Sequence, residues 1–229
     1  MRRFALISDI HARPDKLEAV AAGIRREGIE EIICLGDIVG YGSHPAPCLA
    51  WVREHCSVCV MGNHDAMTVA PGLDLEGFPP EVSEPLETAR RELDAESKEW
   101  LSDLSLHWQD DLFEVCHANL ADPAHFAHMS PGRVPLLLRH FAKQSLDICF
   151  FGHTHEARIF HQPRQGVIRD LPATGSIVLD GPGKFSVGIG SVSFSRDHDP
   201  RPSWVEFCPA ERTMTFHREE ECGEPPRKP

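Results

Sequence analysis

The sequence predicts a single-domain α/β (α+β) fold from three observations. Apolar runs of strand length alternate with a helical period near the N-terminus, short β-type runs separated by turns follow residue 156, and the early apolar runs end in metal-capable side chains. Residues 4–8 form the first run. Residues 15–26 carry Leu17, Val20, Ala21 and Ile24 at helical spacing, and residues 32–35 are apolar again. This is strand, helix, strand. So short a crossover makes the two strands parallel, with their C-terminal ends on the same sheet edge. Residues 58–61 and 147–151 read as further strands, ending in Gly62 and Gly152. Residues 113–116 are also β-type.

Residues 71–105 start polar and proline-containing and turn helical over 84–101, where Leu86, Ala89, Arg90, Leu93 and Trp100 set an amphipathic pattern. A helical insertion is expected there. Another helix is expected over 134–142, after the Pro131-Gly132 turn, with Leu136, Leu137, Leu138 and Phe141 as core. Beyond it come β-type runs at 157–160, 167–171, 176–179, 185–189, 205–208 and 213–217, with Asp180-Gly181-Pro182-Gly183 as a hairpin signal. They add antiparallel strands to the sheet begun by the parallel half. The domain is expected over residues 1–218. Charge and proline dominate residues 219–229, which are expected to form a flexible tail.

Of the 229 residues, 41% are hydrophobic and 25% charged, the composition of a globular protein. The formal net charge is -12 and no basic block is present, so a surface tracking duplex nucleic acid is not expected. A small anionic substrate would have to be drawn by local positive charge, of which bound metal ions are the strongest source. The run after Met1-Arg2-Arg3 is too brief for a signal peptide and no stretch is long enough to span a membrane, so a cytoplasmic protein is expected. The eight cysteines are scattered, several within apolar runs, as buried free thiols would be; Cys56 and Cys59 make a lone C-x-x-C without a second ligand pair.

Asp9 and His11 follow the first run, Asp37 the second, Asn63, His64 and Asp65 the third, His117 the run at 113–116, and His153 and His155 the run at 147–151. Ligands of open α/β sheets bind just beyond the C-terminal strand ends. Carboxylate, amide and imidazole donors suit manganese, iron, zinc or nickel, and two ions sharing Asp37 could polarise a phosphoryl group. Any one cluster alone has a bland reading: D-x-H arises by chance, and an Asp after a turn glycine is commonly a helix N-cap. Five clusters in order, each ending an apolar run, are hard to explain structurally. The remaining histidines, among them His55, His107, His140, His161 and His217, read as surface or packed residues.

Asp9-Ile10-His11, Gly36-Asp37, Gly62-Asn63-His64-Asp65, the His117 block and Gly152-His153-Thr154-His155 together resemble the ordered blocks of the calcineurin-like metallophosphoesterases. Gly36-Asp37-Ile38-Val39-Gly40-Tyr41-Gly42 and the stretch from Gly190 to Trp204 resemble the small bacterial and archaeal phosphodiesterase branch. The resemblance implies a four-layer αββα sandwich of two mixed β-sheets flanked by helices. It implies two divalent ions, manganese first, with iron, zinc, nickel or magnesium as alternatives. Asp9, His11, Asp37 and His155 would hold one ion; Asp37, Asn63, His117 and His153 would hold the other. Asn63 and His64 would face the substrate phosphate, His64 would protonate the leaving oxygen, and Asp65 would orient its ring. Arg13 departs from the family's first block and could clamp a phosphate or face solvent. His125 and His128 could border the substrate or belong to a polar loop.

The implied activity is hydrolysis of phosphate esters by a metal-bridging hydroxide, a phosphodiesterase or nucleotide phosphatase acting on a small phosphorylated substrate. The alternatives are a non-catalytic metal-binding scaffold of the same fold and a Ser/Thr protein phosphatase, which Arg13, Arg196 and Arg201 keep open. A homo-oligomer is left open as well.

Overall fold

The computed structural model describes residues 2–220. In chain order the elements are β1 (Phe4–Ile7), α1 (Pro14–Glu27), β2 (Glu31–Cys34), α2 (Pro45–His55), β3 (Cys56–Cys59), α3 (Asn63–Val69), α4 (Pro80–Glu92) and α5 (Ala95–Ser102). There follow β4 (His107–Gln109), β5 (Glu114–Cys116), α6 (Val134–Lys143), β6 (Ile148–Phe151), β7 (Ala157–Pro163), β8 (Arg169–Leu171), β9 (Gly175–Val178), β10 (Gly183–Ile189), β11 (Ser203–Cys208) and β12 (Thr213–Arg218).

The strands form two six-stranded sheets, ordered β3-β2-β1-β11-β12-β9 and β4-β5-β6-β10-β7-β8. The first is parallel through β3, β2 and β1 and antiparallel beyond. In the second, β5, β6 and β10 are parallel and the flanking pairs antiparallel. The first two strands pair in parallel as expected, but the later strands do not all join the sheet begun by that half: they are divided between two sheets. Strands β1 and β2 and strands β5 and β6 deliver their C-terminal ends from two different sheets, because the long excursion through α4 and α5 starts a second sheet.

Period-two alternation assigns each strand residue to a layer. Ala5, Ile7, Ile32 and Cys34 pack with Leu17, Val20, Ile24 and Leu49 of helices α1 and α2. Phe4, Leu6, Ile33 and Leu35 point the other way and meet Phe113, Val115, Phe150 and Val187 between the sheets. Cys149 and Phe151 face outward onto Leu136, Leu137 and Phe141 of α6. The layers are helix, sheet, sheet and helix, the sandwich that the resemblance implies.

The helix expected over 84–101 is two helices. Leu93 is extended, and the Asp94 carboxylate accepts the Ser97 amide at 2.7 Å, capping a new helix. Ala89, Leu93 and Leu101 pack into the apolar layer of α1 and α2, so the segment is built into the core. Arg90 donates to the carbonyls of Met67 (2.8 Å), Thr68 (3.3 Å) and Leu73 (3.0 Å), satisfying the C-terminal end of α3. Helix α2 gave no clear signal because Pro45 and Pro47 crowd its first turn. At the other end, Glu219 was expected in the tail but is buried: its carboxylate accepts from Arg26 at 3.0 Å and from the Trp204 indole at 2.9 Å. Glu220 is exposed and pairs with Arg201 at 3.1 Å, and residues 221–229 of the expected tail lie outside the described residues.

Candidate metal centre

Asp9, His11, Asp37, Asn63, His64, Asp65, His117, His153 and His155 meet in one place, although they come from five loops on two sheets. Hydrogen bonds lock the loops to one another. Amides of Asp9, His11 and Ala12 donate to the carbonyls of Gly36 (3.0 Å), Asp37 (3.0 Å) and Ile38 (2.8 Å), so the loops after β1 and β2 are zipped together. The His64 amide donates to Asp37 Oδ1 at 2.8 Å, and the His153 amide to Asp9 Oδ2 at 3.0 Å, tying in α3 and the loop after β6. Ser191 and Ser193 hydroxyls donate to the Asp9 carbonyl at 3.1 and 2.7 Å, a buttress supplied by the late stretch after β10. Asp9, His11, Asp37, His153 and His155 all have left-handed backbone, with φ from 48° to 61°. Such φ values in non-glycine residues cluster at functional sites, where the surrounding structure enforces them.

The imidazoles are held through one nitrogen each. Nδ1–H of His11 donates to Val39 O (3.1 Å), that of His117 to Leu35 O (2.6 Å), and that of His155 to Phe194 O (2.6 Å). This fixes the tautomer and aims a bare Nε2 lone pair inward. The consequence is a cluster of acceptors without donors. His11 Nε2 and His155 Nε2 stand 3.1 Å apart, and His155 Nε2 is 3.2 Å from Asp9 Oδ1. Across the site, His117 Nε2 lies 3.3 Å from Asp37 Oδ2 and 3.2 Å from Asn63 Oδ1. Asp9 Oδ1 and His153 Nε2 are buried with no hydrogen-bond partner. Lone pairs confronting one another in a dry pocket are unfavourable unless a cation lies between them, and oxygen–nitrogen donor sets of this kind take first-row divalent metals. Asp9, His11 and His155 form one potential ligand group and Asp37, His117 and His153 another. The residues fit metal.

Electrostatics agree. Burial pushes His11 and His153 down to about 3, which keeps them neutral and able to ligate. Burial acts on His117 in the same direction, but Asp37 and Asp9 overcome it and raise the ring to about 10. In effect, a proton on His117 can occupy the place of a cation between buried carboxylates. Asp37, despite burial, is held well below the usual carboxylate range by His117, His64 and His11.

Asp65 is placed differently from the expectation. Its Oδ2 accepts from the amides of Asp37 (2.8 Å) and Gly62 (3.0 Å), and its Oδ1 from those of Ile38 (3.0 Å) and Val39 (3.3 Å). Both oxygens are thus spent on the loop that carries Asp37, and none of these bonds reaches the His64 ring, whose Nδ1 is buried without a partner. Asp65 orients the Asp37 loop. Arg13 pairs with Asp15 at 2.9 and 2.5 Å and lies over the Phe194 ring at 5.6 Å. His125 is exposed and pairs with Asp122 at 2.8 Å.

Three neighbours were not foreseen. Tyr41 packs its ring against His11 and His64, with centroids 4.7 Å away in both cases. Phe194 adds a contact to Tyr41 at 5.7 Å, and Phe126 one to His117 at 5.9 Å. Tyr41 lies within a motif block, but nothing in its spacing says that its ring covers the site. His128 contacts His153 at 4.1 Å between ring centroids, so its ring lies beside the candidate ligands. The isolated histidines are packed or surface groups as expected: His161 stacks on Phe185 and His217 on Trp204.

Residues 2–203 match the calcineurin-like phosphoesterase superfamily domain. An uncharacterized protein of Methanocaldococcus jannaschii is 30% identical over 207 residues, covering 89% of this chain and 81% of its own. The crystal structure of a metallophosphoesterase from Sphaerobacter thermophilus aligns with a TM-score of 0.82 at 31% identity, over 96% of this chain and 89% of that one. A hypothetical protein from Pyrococcus horikoshii shares the fold alone, with a TM-score of 0.70 at 14% identity over 96% and 89% of the two chains. With its five ligand-bearing loops gathered between two mixed sheets, this chain belongs to the calcineurin-like phosphoesterase superfamily and is a metal-dependent phosphoester hydrolase.

Proposed function

We propose that the centre holds two divalent cations, manganese first among them, and that the chain hydrolyses phosphodiesters or nucleotides in the cytoplasm. The observation that carries this reading is the position of Asp37. Its Oδ2 lies 3.7 Å from His11 Nε2 and 3.3 Å from His117 Nε2, between the group of Asp9, His11 and His155 and the pair His117 and His153. One carboxylate oxygen facing both groups is what a shared ligand requires. Asp9, His11, Asp37 and His155 would hold the first ion, and Asp37, Asn63, His117 and His153 the second. Bound there, the ions would supply positive charge to polarise a phosphoryl group and to ease loss of a proton from the attacking water.

The chain's own residues supply the rest. Asp65 holds the Asp37 loop rigid, and the carbonyls of Val39, Leu35 and Phe194 keep each imidazole in its ligating tautomer. His64 belongs to the substrate side. Its ring is 4.9 Å from that of His11, and its proton affinity is lowered by burial against the pull of Asp37, so it gives up a proton readily. It would pass that proton to the leaving oxygen, whose developing charge a positioned proton donor relieves. Tyr41 packs its ring against that of His64, with centroids 4.7 Å apart.

Protein stripped with chelator and reloaded with manganese, magnesium, nickel or zinc tests the reading. Metal analysis is expected to give about two ions per chain, the stoichiometry of a two-metal site, and bis-p-nitrophenyl phosphate to be turned over in preference to p-nitrophenyl phosphate. One ion per chain would remove the shared role of Asp37, and no turnover with any metal would favour a scaffold.

A further inference from the structure

Phe194 is out of keeping with the other phenylalanines. Eight of the twelve are at most 2% exposed, whereas Phe194 leaves 38% of its surface to water. A single exposed apolar ring is ordinary on a protein surface. This one is fixed beside the metal centre. The Phe194 carbonyl accepts Nδ1–H of His155 at 2.6 Å, and its amide donates to Ser191 Oγ at 3.0 Å, which in turn donates to the Asp9 carbonyl at 3.1 Å. The backbone that carries the ring is therefore tied to two residues of the ligand set, and the ring centroid lies 6.1 Å from that of His11.

Two neighbours build on this ring. Arg13 holds its guanidinium carbon 5.6 Å from the centroid and is itself held by Asp15 at 2.9 and 2.5 Å, so a positioned cation stands over the ring. Tyr41 meets Phe194 at 5.7 Å with the planes at 68°, and it also meets the His64 ring at 4.7 Å. A row of rings thus runs from buried His64 through half-buried Tyr41 to exposed Phe194. It ends in an apolar surface one ring away from the imidazole on the substrate side. Every nucleobase has a π face that stacks on such a ring whatever its sequence identity, and a neighbouring guanidinium adds to the attraction.

We propose that Phe194, with Arg13 and Tyr41 beside it, is the stacking platform for the base of a nucleotide, and that it selects phosphate esters whose arm on the His64 side carries a planar ring. This deepens the reading above and rests on it. The reacting phosphate occupies the metal centre, and the base lies on Phe194, where it sets affinity without entering the chemistry. Phe194 is a specificity residue.

Calorimetric titration of manganese-loaded protein with adenosine 5′-monophosphate and with ribose 5-phosphate tests the platform, over times in which neither ester is cleaved. The two carry the same phosphate on the same sugar and differ in the base. The nucleotide is expected to bind roughly 5-fold or more tightly, the low end of what one base stacked on an aromatic side chain contributes. Phe194→Leu keeps an apolar side chain and both backbone bonds but removes the planar face. It is expected to erase that ratio while metal content stays at the wild-type level, and Phe194→Trp is expected to preserve it. Equal affinities in the wild type, or a ratio that survives in Phe194→Leu, would overturn the platform. A loss of affinity for both ligands alike in Phe194→Leu would also overturn it, since the ring would then only cover His11 and His155. Turnover of bis-p-nitrophenyl phosphate is a separate measurement: its absence with every metal would overturn the phosphodiesterase reading and would leave the two affinities to be compared as before.

Discussion

Asp37 and His64 stand one hydrogen bond apart, yet removing them has different consequences. Asp37 Oδ1 accepts the His64 amide at 2.8 Å, while Oδ2 faces both ligand groups. Asp37→Asn keeps the shape and the first acceptor but removes the charge that two cations would share, so it is expected to lower metal content from about two ions toward one or none, with turnover down by ~10³-fold or more. The His64 ring, by contrast, belongs to none of the hydrogen bonds that lock the loops. His64→Ala is expected to retain the metal and to slow turnover by ~10²-fold, the usual contribution of a positioned proton donor. Metal analysis and steady-state rates on the two purified variants separate the roles; a His64→Ala protein that loses its metal would make His64 a ligand instead.

Loops set these residues in place, and the loops hold strain. Five ligands in left-handed backbone cost of order 1–3 kcal/mol each, offset by the cross-loop hydrogen bonds and the Asp65 carboxylate that takes four amides. Such packing leaves no room at the crossing points. A Cβ on Gly62 would stand 2.1 Å from Asp37 Oδ1 and 2.2 Å from the Asp37 amide, and one on Gly40, which has φ +89°, would meet His64 Nδ1 at 2.3 Å. Gly62→Ala must therefore displace Asp37. It is expected to cost ~1–3 kcal/mol or more of stability and to weaken metal binding far beyond what one methyl group does at an exposed site. Thermal melting with and without added manganese measures both effects; a variant that binds metal like wild type would show that the loops do not need this contact.

At the scale of the whole molecule, the centre joins two sheets, so its protonation state bears on global stability. In metal-free protein, burial holds His11 and His153 down at about 3 and His140 at about 4. These rings titrate near 6.5 once unfolded. Their contribution is present above that value and is lost as pH falls toward 4 and 3, where the unfolded chain binds more protons. His117 works in the opposite sense. Raised to about 10 by Asp37 and Asp9 against its burial, it contributes fully below about 6.5 and loses that contribution as pH climbs to 10. Melting temperatures of stripped protein are expected to fall on both sides of about pH 6.5. Added metal is expected to flatten the alkaline side, since coordination requires neutral His117 whatever the pH. An alkaline limb that metal leaves unchanged would move the cation away from His117.

Much of this was legible in the linear order. The strand–helix–strand start, the run of strands after residue 156 and the ligand clusters behind apolar runs all depend on local periodicity, which a chain carries wherever it folds. Nine site residues were recognisable because strands end where polar ligands begin. What periodicity does not carry is partner choice between distant segments. Whether β6 joins β1 or a second sheet, whether Asp65 turns to His64 or to the amides of Gly62 and the Asp37 loop, and whether Tyr41 packs on His11 and His64 all depend on long-range packing. The residue types and their order determined the chemistry of this centre; the closing of two sheets face to face decided which lone pairs confront each other there, because only contact in space sets distances of 3 Å between groups more than a hundred residues apart.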